Sequence, residues 1–158
     1  LAAISGSGSS NQPTGILNTT GIGAKTFASV GNPTFGEIVD VETAVATDNA
    51  LNGSLAYLTN AAMCGAMKQK PTDAGSGRFI IEGGQANGYN VAVSNQMTAN
   101  TILFGNWADL IIGMWGGLDI NVDTSTGSTS GTVRVVALQD VDVAVRHAAS
   151  FAKGSGGS

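Results

Sequence analysis

The spacing of apolar residues changes character along the chain. From Phe35, the apolar positions Ile38, Val41 and Val45 follow at intervals of three, three and four, which lines one face of a helix. Thr34 and Glu37 open this stripe in the S/T-x-x-E arrangement, where each side chain satisfies a free backbone N–H at the other position. The pattern predicts a helix over 35–51, with Gly53 placed to adopt the left-handed conformation that ends it. Leu55–Thr59 is a short apolar run suited to a buried strand. Asn60 is positioned to cap a second helix through Ala61 to Met67, which must end before Pro71. Strands are expected at Arg78–Ile81, Tyr89–Ser94 and Thr101–Phe104, and a short buried helix at Trp107–Trp115.

After Gly116-Gly117 the period becomes two. Leu118, Ile120 and Val122 alternate with Asp119, Asn121 and Asp123, as in a half-buried strand. A loop over Thr124–Gly131 leads to an apolar strand at Thr132–Leu138. Val141, Val143 and Val145 then share a further strand face, with Val133 and Val135 on another face nearby. Residues 5–33 are rich in Gly, Ser, Asn and Thr and predict an extended, loop-dominated approach with short strands at best. Strands and helices in this order predict an α+β fold with a β-rich C-terminal third.

Composition sharpens this picture. Of the 158 residues, 42% are hydrophobic, enough for a real core, but only 11% are charged, against about 25% in ordinary soluble domains. A chain so poor in charge is expected to cover much of its surface with partners. The net charge of −4 and the absence of any basic run denser than Lys68 and Lys70 disfavour binding to nucleic acid. No apolar run approaches the ~20 residues of a membrane-spanning helix. The single cysteine, Cys64, lies among Ala62, Met63 and Ala66 and reads as a small buried hydrophobe. The chain begins at Leu1 rather than Met and is read as a fragment, incomplete or processed, and residues 153–158 read as a flexible Gly/Ser tail.

Candidate chemistry is sparse. Thr19–Thr26 lacks the glycines of a phosphate loop, with Ala24 before Lys25 and Thr19 five residues earlier. Gly6-Ser7-Gly8 opens a dinucleotide fingerprint that fails at Asn11. His147 is the only histidine and has no evident set of partners. Asp140, Asp142 and Arg146 share a strand face and suit a salt-bridging surface better than acid–base work. Trp107 and Trp115 read as core anchors. No catalytic, cofactor-binding or metal-binding residue is expected, and no cofactor.

Several segments, in order, resemble those of tailed-phage major capsid proteins. Gly6-Ser7-Gly8 through Pro13 to Gly15-Ile16-Leu17 resembles a "GxGxxxxPxGIL" segment. Thr72-Asp73-Ala74-Gly75 through Phe79 is similar to a "DxxGxxL" turn, and Gly88-Tyr89-Asn90-Val91 to "GxPV" with Asn90 in place of the proline. Phe104-Gly105-Asn106-Trp107-Ala108-Asp109 is similar to "FGDFSD". Val133–Leu138, Asp142–His147 and Phe151-Ala152 resemble the "VRVVAxxDVAVRHPxAF" ending.

The resemblance implies the Hong Kong 97-like capsid fold, lacking the arm, extended loop and spine helix. Residues 31–117 would form the axial domain, and 1–30 with 118–152 parts of the peripheral domain. It implies a non-enzymatic structural role in the icosahedral shell enclosing phage DNA: a capsid subunit made in the bacterial host cytoplasm and destined for the virion. Its main partner would be itself, in pentamers and hexamers, with other capsid or portal components besides. No specific nucleic acid and no membrane are implied. Some members cross-link through an Asn before the penultimate strand; Thr129-Ser130-Gly131-Thr132 stands there, so no cross-link is expected. Three rival readings are an encapsulin-like compartment shell, a secreted β-rich binding module that would lack the 35–51 helix, and a small enzyme with a pocket near Trp107 and Asp109.

Overall fold

A computed structural model describes residues 2–123 and 130–156. Its centre is a six-stranded sheet in the order β1-β8-β5-β2-β4-β3, formed by Gly23–Phe27 (β1), Leu55–Thr59 (β2), Gln85–Ala86 (β3), Tyr89–Val93 (β4), Thr101–Asn106 (β5) and Phe151–Gly156 (β8). Strands β1 and β8 run parallel, as do β2 and β4, while β5 is antiparallel to both of its neighbours. Three helices accompany the sheet: α1 (Ala2–Ser5), α2 (Phe35–Thr47) and α3 (Ala61–Gln69). Leu110–Asp123 (β6) and Arg134–Val145 (β7) form a separate antiparallel ribbon.

The sheet is covered on both faces, which explains why its central strands read as continuous apolar runs. Tyr57, Ile102, Phe104 and Ala152 point into one core with Ile38, Val41 and Val45 of α2 and Met63 and Met67 of α3. Their neighbours Leu58, Leu103 and Phe151 point into a second core with Ile16, Leu17 and Met97. Residues 101–106 are therefore all buried although alternate side chains serve different cores.

Helix α2 begins as its sequence predicts. Glu37 N–H donates to Thr34 Oγ1, and the Glu37 carboxylate accepts from the Thr34 N–H and also from the Ala28 N–H, each at 2.6 Å. One side chain thus caps the helix and pins the end of β1. The carboxyl lies below its ordinary range: burial pushes it up, but the backbone donors of Thr34 and Ala28 outweigh this. Asn60 caps α3 through the Met63 N–H at 2.9 Å, and Cys64 is buried.

Five expectations are corrected. Helix α2 ends at Thr47, not 51, because Asn49 itself takes the left-handed conformation at φ 57°; Asp and Asn favour such local turns over continued helix. Arg78–Ile81 forms one isolated bridge, Pro71 to Phe79, and no strand. Trp107–Trp115 is not a helix: one 3-10 turn at Trp107–Asp109 leads directly into β6. Residues 134–145 are one unbroken strand, so Val135 and Val141 share a face. Finally, the expected flexible tail is a strand through Gly156, with Gly154 buried between β1 and β5. Its lack of side chains reflects crowding, since a Cβ on Gly154 would lie 2.0 Å from Phe27 Cζ. The proposed loop over Thr124–Gly131, and the segment carrying the missing cross-link, fall largely outside the described residues.

Candidate assembly surface

The ribbon is the exposed apolar feature of this molecule. Directly opposed residues of an antiparallel pair share a face. One face therefore carries Leu110 with Val145, Ile112 with Val143, Met114 with Val141, Ile120 with Ala137, and Val122 with Val135. The other pairs Trp115 with Asp140, Asp119 with Leu138 and Asp123 with Arg134. A bulge between Trp115 and Asp119 contains Gly116 at φ 74° and bends the strand.

Burial divides the apolar face in two. At the root, Val143 is buried, and Leu110 and Val145 pack against the second core. Further out, Met114 is 69% exposed and Val135 61%, with Ile120 and Val122 similarly open. Of the three valines expected on a common open face, only Val141 is exposed. The opposite face carries Asp119, Asp123, Asp140 and Asp142 but one cation, Arg134. The ribbon thus has one largely apolar, uncharged face and an opposite face where these carboxylates stand among Ile111, Trp115 and Leu138; the first is the one built to be covered.

The root is fixed by polar contacts that spacing did not reveal. Arg146 was expected to face Asp140 and Asp142; instead it turns back to Asp109, with Nε at 2.9 Å from Oδ1. The two residues flank the first ribbon pair, Leu110 with Val145, so the hairpin register itself brings them together. Recognising β6 as a strand would have placed them side by side. Asp109 Oδ2 accepts from the Ser150 hydroxyl at 2.7 Å and from Asn106 Nδ2 at 2.9 Å. Ser150's hydroxyl holds the Asp109 carboxyl below its ordinary range, helped by Arg146 and Asn106 and opposed by burial. Of the two tryptophans expected as core anchors, Trp107 is one, its indole donating to the Ala56 carbonyl at 3.0 Å and meeting Phe151 edge-on, whereas Trp115 stands exposed on the ribbon.

His147 Nδ1 lies 2.9 Å from Ser150 Oγ. The resulting order is His147, Ser150, Asp109, with the serine in the middle. Its proton is directed to the carboxylate, so at the imidazole the Ser150 oxygen accepts a hydrogen bond rather than donating one. A serine nucleophile requires the imidazole between hydroxyl and carboxylate. Ser150 is also only 2% exposed. The adjoining cleft of about 400 Å³ is lined by Asn49, Asn52, Asp109, Arg146 and His147, and Trp107 takes no part in it. A larger cleft of about 540 Å³ lies elsewhere, beside Phe35, Arg78, Phe79 and Glu82. Among the described residues, no group of three or more His, Cys, Asp or Glu side chains is placed to hold a metal ion. Among them, too, no helix is long and apolar enough to cross a membrane.

The model of the phage capsid family matches residues 1–156. The chain belongs to the phage capsid family. Over 148 residues it is 38% identical to the major capsid protein of Halomonas phage phiHAP-1, which covers 92% of the chain but only 24% of that relative. Its fold matches the capsid of an empty GTA particle with a TM-score of 0.77 at 21% identity, covering 99% of the chain and 60% of that one. A virus-like particle from Pyrococcus furiosus matches at 0.66 and 16% identity, covering 89% and 58%. A Mycobacterium phage Che8 chain matches at 0.63 and 16%, covering 84% and 53%. The α+β fold is thus the Hong Kong 97-like capsid fold. The presence of α2 removes the all-β secreted module from consideration. This family member spans about a quarter of its Halomonas phage relative and about 60% of the GTA capsid chain.

Proposed function

We propose that this chain is part of a shell subunit that self-associates into an icosahedral phage capsid, in rings of five and six, and that it performs no catalytic step. The observation that carries the reading is the ribbon, whose apolar outer half is exposed on one uncharged face while all four of its carboxylates lie on the other. Family membership supports the same role and a place in the virion. The acidic balance also suits a lining that does not grip packaged DNA.

A two-domain division is part of this proposal, with the expected bounds of 31–117 for the axial domain and 1–30 with 118–152 for the peripheral one amended. Common membership of one sheet supports assigning Gly23–Phe27 and Phe151–Gly156 to the axial part together with residues 31–109. The peripheral part is then the ribbon, Leu110–Val145, whose apolar face is covered in the shell by further subunit chain or by neighbours.

Fully burying a Val, Leu, Ile or Met side chain is worth about 1.5–3 kcal/mol, so the isolated chain is expected to cover this face by pairing with itself. Light scattering after size exclusion should give a mass above that of one chain, rising with concentration. Val135→Lys should suppress the association, and Asp119→Asn on the opposite face should not. A strictly monomeric chain at high concentration that binds no hydrophobic dye would overturn the reading.

A further inference from the structure

Beyond Leu110, Val143 and Val145, the large apolar side chains on the ribbon's apolar face are exposed, so among the described residues the ribbon is held to the sheet at its root. The apolar tie there is non-directional. The polar tie is one carboxylate, 5% exposed, and every contact it makes reaches a different part of the junction. Asp109 stands immediately before β6, and its carbonyl accepts from the Arg146 N–H, immediately after β7, at 2.8 Å. Oδ1 accepts the Arg146 guanidinium. Oδ2 accepts from Ser150, in the turn that leads into β8. Oδ2 also accepts from Asn106 at the end of β5. The Asn106 Oδ1 in turn accepts from the Ser54 N–H at 2.9 Å, at the entry to β2.

We infer that Asp109 is a hinge lock that sets the direction of the ribbon relative to the sheet, separately from the folding of either. A carboxylate suits this task and an amide does not. Donors approach both oxygens, and an Asn at 109 must aim its own NH2 group either at Arg146 or at Ser150 and Asn106. Two N–H groups of the guanidinium converge on Oδ1, and charge-assisted bonds of this kind are stronger than neutral ones. The packed sheet can form without the lock, which adds to stability but takes no part in the packing of either core. Its two cores are closed by α2, α3 and the N-terminal segment, and Asp109 belongs to neither.

The test is double electron–electron resonance on this chain, spin-diluted with unlabelled chain so that only distances within one molecule are read. In a Cys64→Ala background, labels at Asp40→Cys on α2 and Gln139→Cys on β7 report the ribbon against the body. Labels at Asp40→Cys and Asn95→Cys report the body alone. The parent is expected to give one narrow distance peak for each pair. Asp109→Asn should lose the narrow ribbon–body peak and keep the body peak. Arg146→Gln, whose native side chain is 67% exposed, should do the same without threatening the fold. Unchanged ribbon–body peaks in both variants would overturn the lock. Broadening of the body peak in Arg146→Gln would also overturn it, since the pair would then be holding the whole fold together.

Discussion

Replacing Gly154 by Ala should measurably weaken the fold, although the residue lies in a Gly/Ser-rich ending. A Cβ built there falls 2.0 Å from Phe27 Cζ, 2.6 Å from Phe27 Cε1 and 2.8 Å from Val41 Cγ2. Carbon atoms prefer about 3.5–4.0 Å, so the Phe27 ring must move by roughly 1.5 Å. It has nowhere open to go, being 1% exposed, and Val41 is fully buried. Overpacking of this kind costs about 1–3 kcal/mol, and two buried neighbours place it near the upper end. The loss of backbone freedom in the unfolded chain returns about 0.4–1 kcal/mol. A net loss of about 2 kcal/mol lowers the melting temperature by roughly 4–8 °C for a domain of this size. Ser155→Ala, one residue on, should change stability by less than about 0.5 kcal/mol. Combining Gly154→Ala with Phe27→Leu should cost less than the two changes summed, because the smaller side chain vacates the contested space. Denaturation followed by circular dichroism reads the parent and the four variants. An unchanged midpoint for Gly154→Ala would mean that the last strand does not lie under α2.

Two further perturbations test the helix and the junction. Ile38→Asp should destabilise the fold by at least about 3 kcal/mol, since it removes a fully buried side chain and places a carboxylate in its cavity. Asp40→Ala, on the exposed side of the same helix, should stay within about 0.5 kcal/mol, and equal denaturation midpoints would show the stripe to be misplaced. Acid should also weaken the fold in a defined window. The folded-state carboxyls of Asp109 and Glu37 sit below their ordinary ranges, so on acidification the unfolded chain takes up protons first. Their contribution is whole above the ordinary carboxylate values of about 4 and is lost as pH falls through the lower folded values. Asp109→Asn should flatten that acid limb, and an unaltered pH profile of stability would refute the assignment.

What was legible in the sequence follows from how local each cause is. The start of α2 is written in Thr34, Glu37 and the stripe from Phe35 to Val45, all within a few turns, and the structure has each of those contacts. The apolar character of Leu55–Thr59 and Thr101–Asn106 was equally plain, because a strand buried on both faces must be apolar throughout. The errors have non-local causes. Leu110-Ile111-Ile112-Gly113-Met114-Trp115 shows no alternation and so was read as a helix. In the fold it is a strand with apolar side chains on both faces: Leu110 continues the second core while Ile111 and Trp115 stand exposed. Gly154 and Gly156 mimic a linker because Phe27, Val41 and Val30, far away in sequence, occupy the space of their missing side chains.

The same reasoning explains why so little charge accompanies so much exposed surface. A monomer with an 11% charged composition would be poorly wetted if its apolar residues were scattered over it. Here they are gathered instead: the compact body buries its large side chains in two cores, and most of the exposed ones stand on the ribbon. Four of the chain's 11 acidic side chains lie there too, on the opposite face, leaving the apolar one free of charge. The alternation of side chains along β7 keeps its charges on one face, since a slip of one residue would exchange the two faces. The register is held from one end, where Leu110 meets Val145 and Asp109 meets Arg146. Poverty of charge in the composition and the ion pair at the root are therefore two consequences of one arrangement, in which a strand pair must leave the body in a fixed register with one face open.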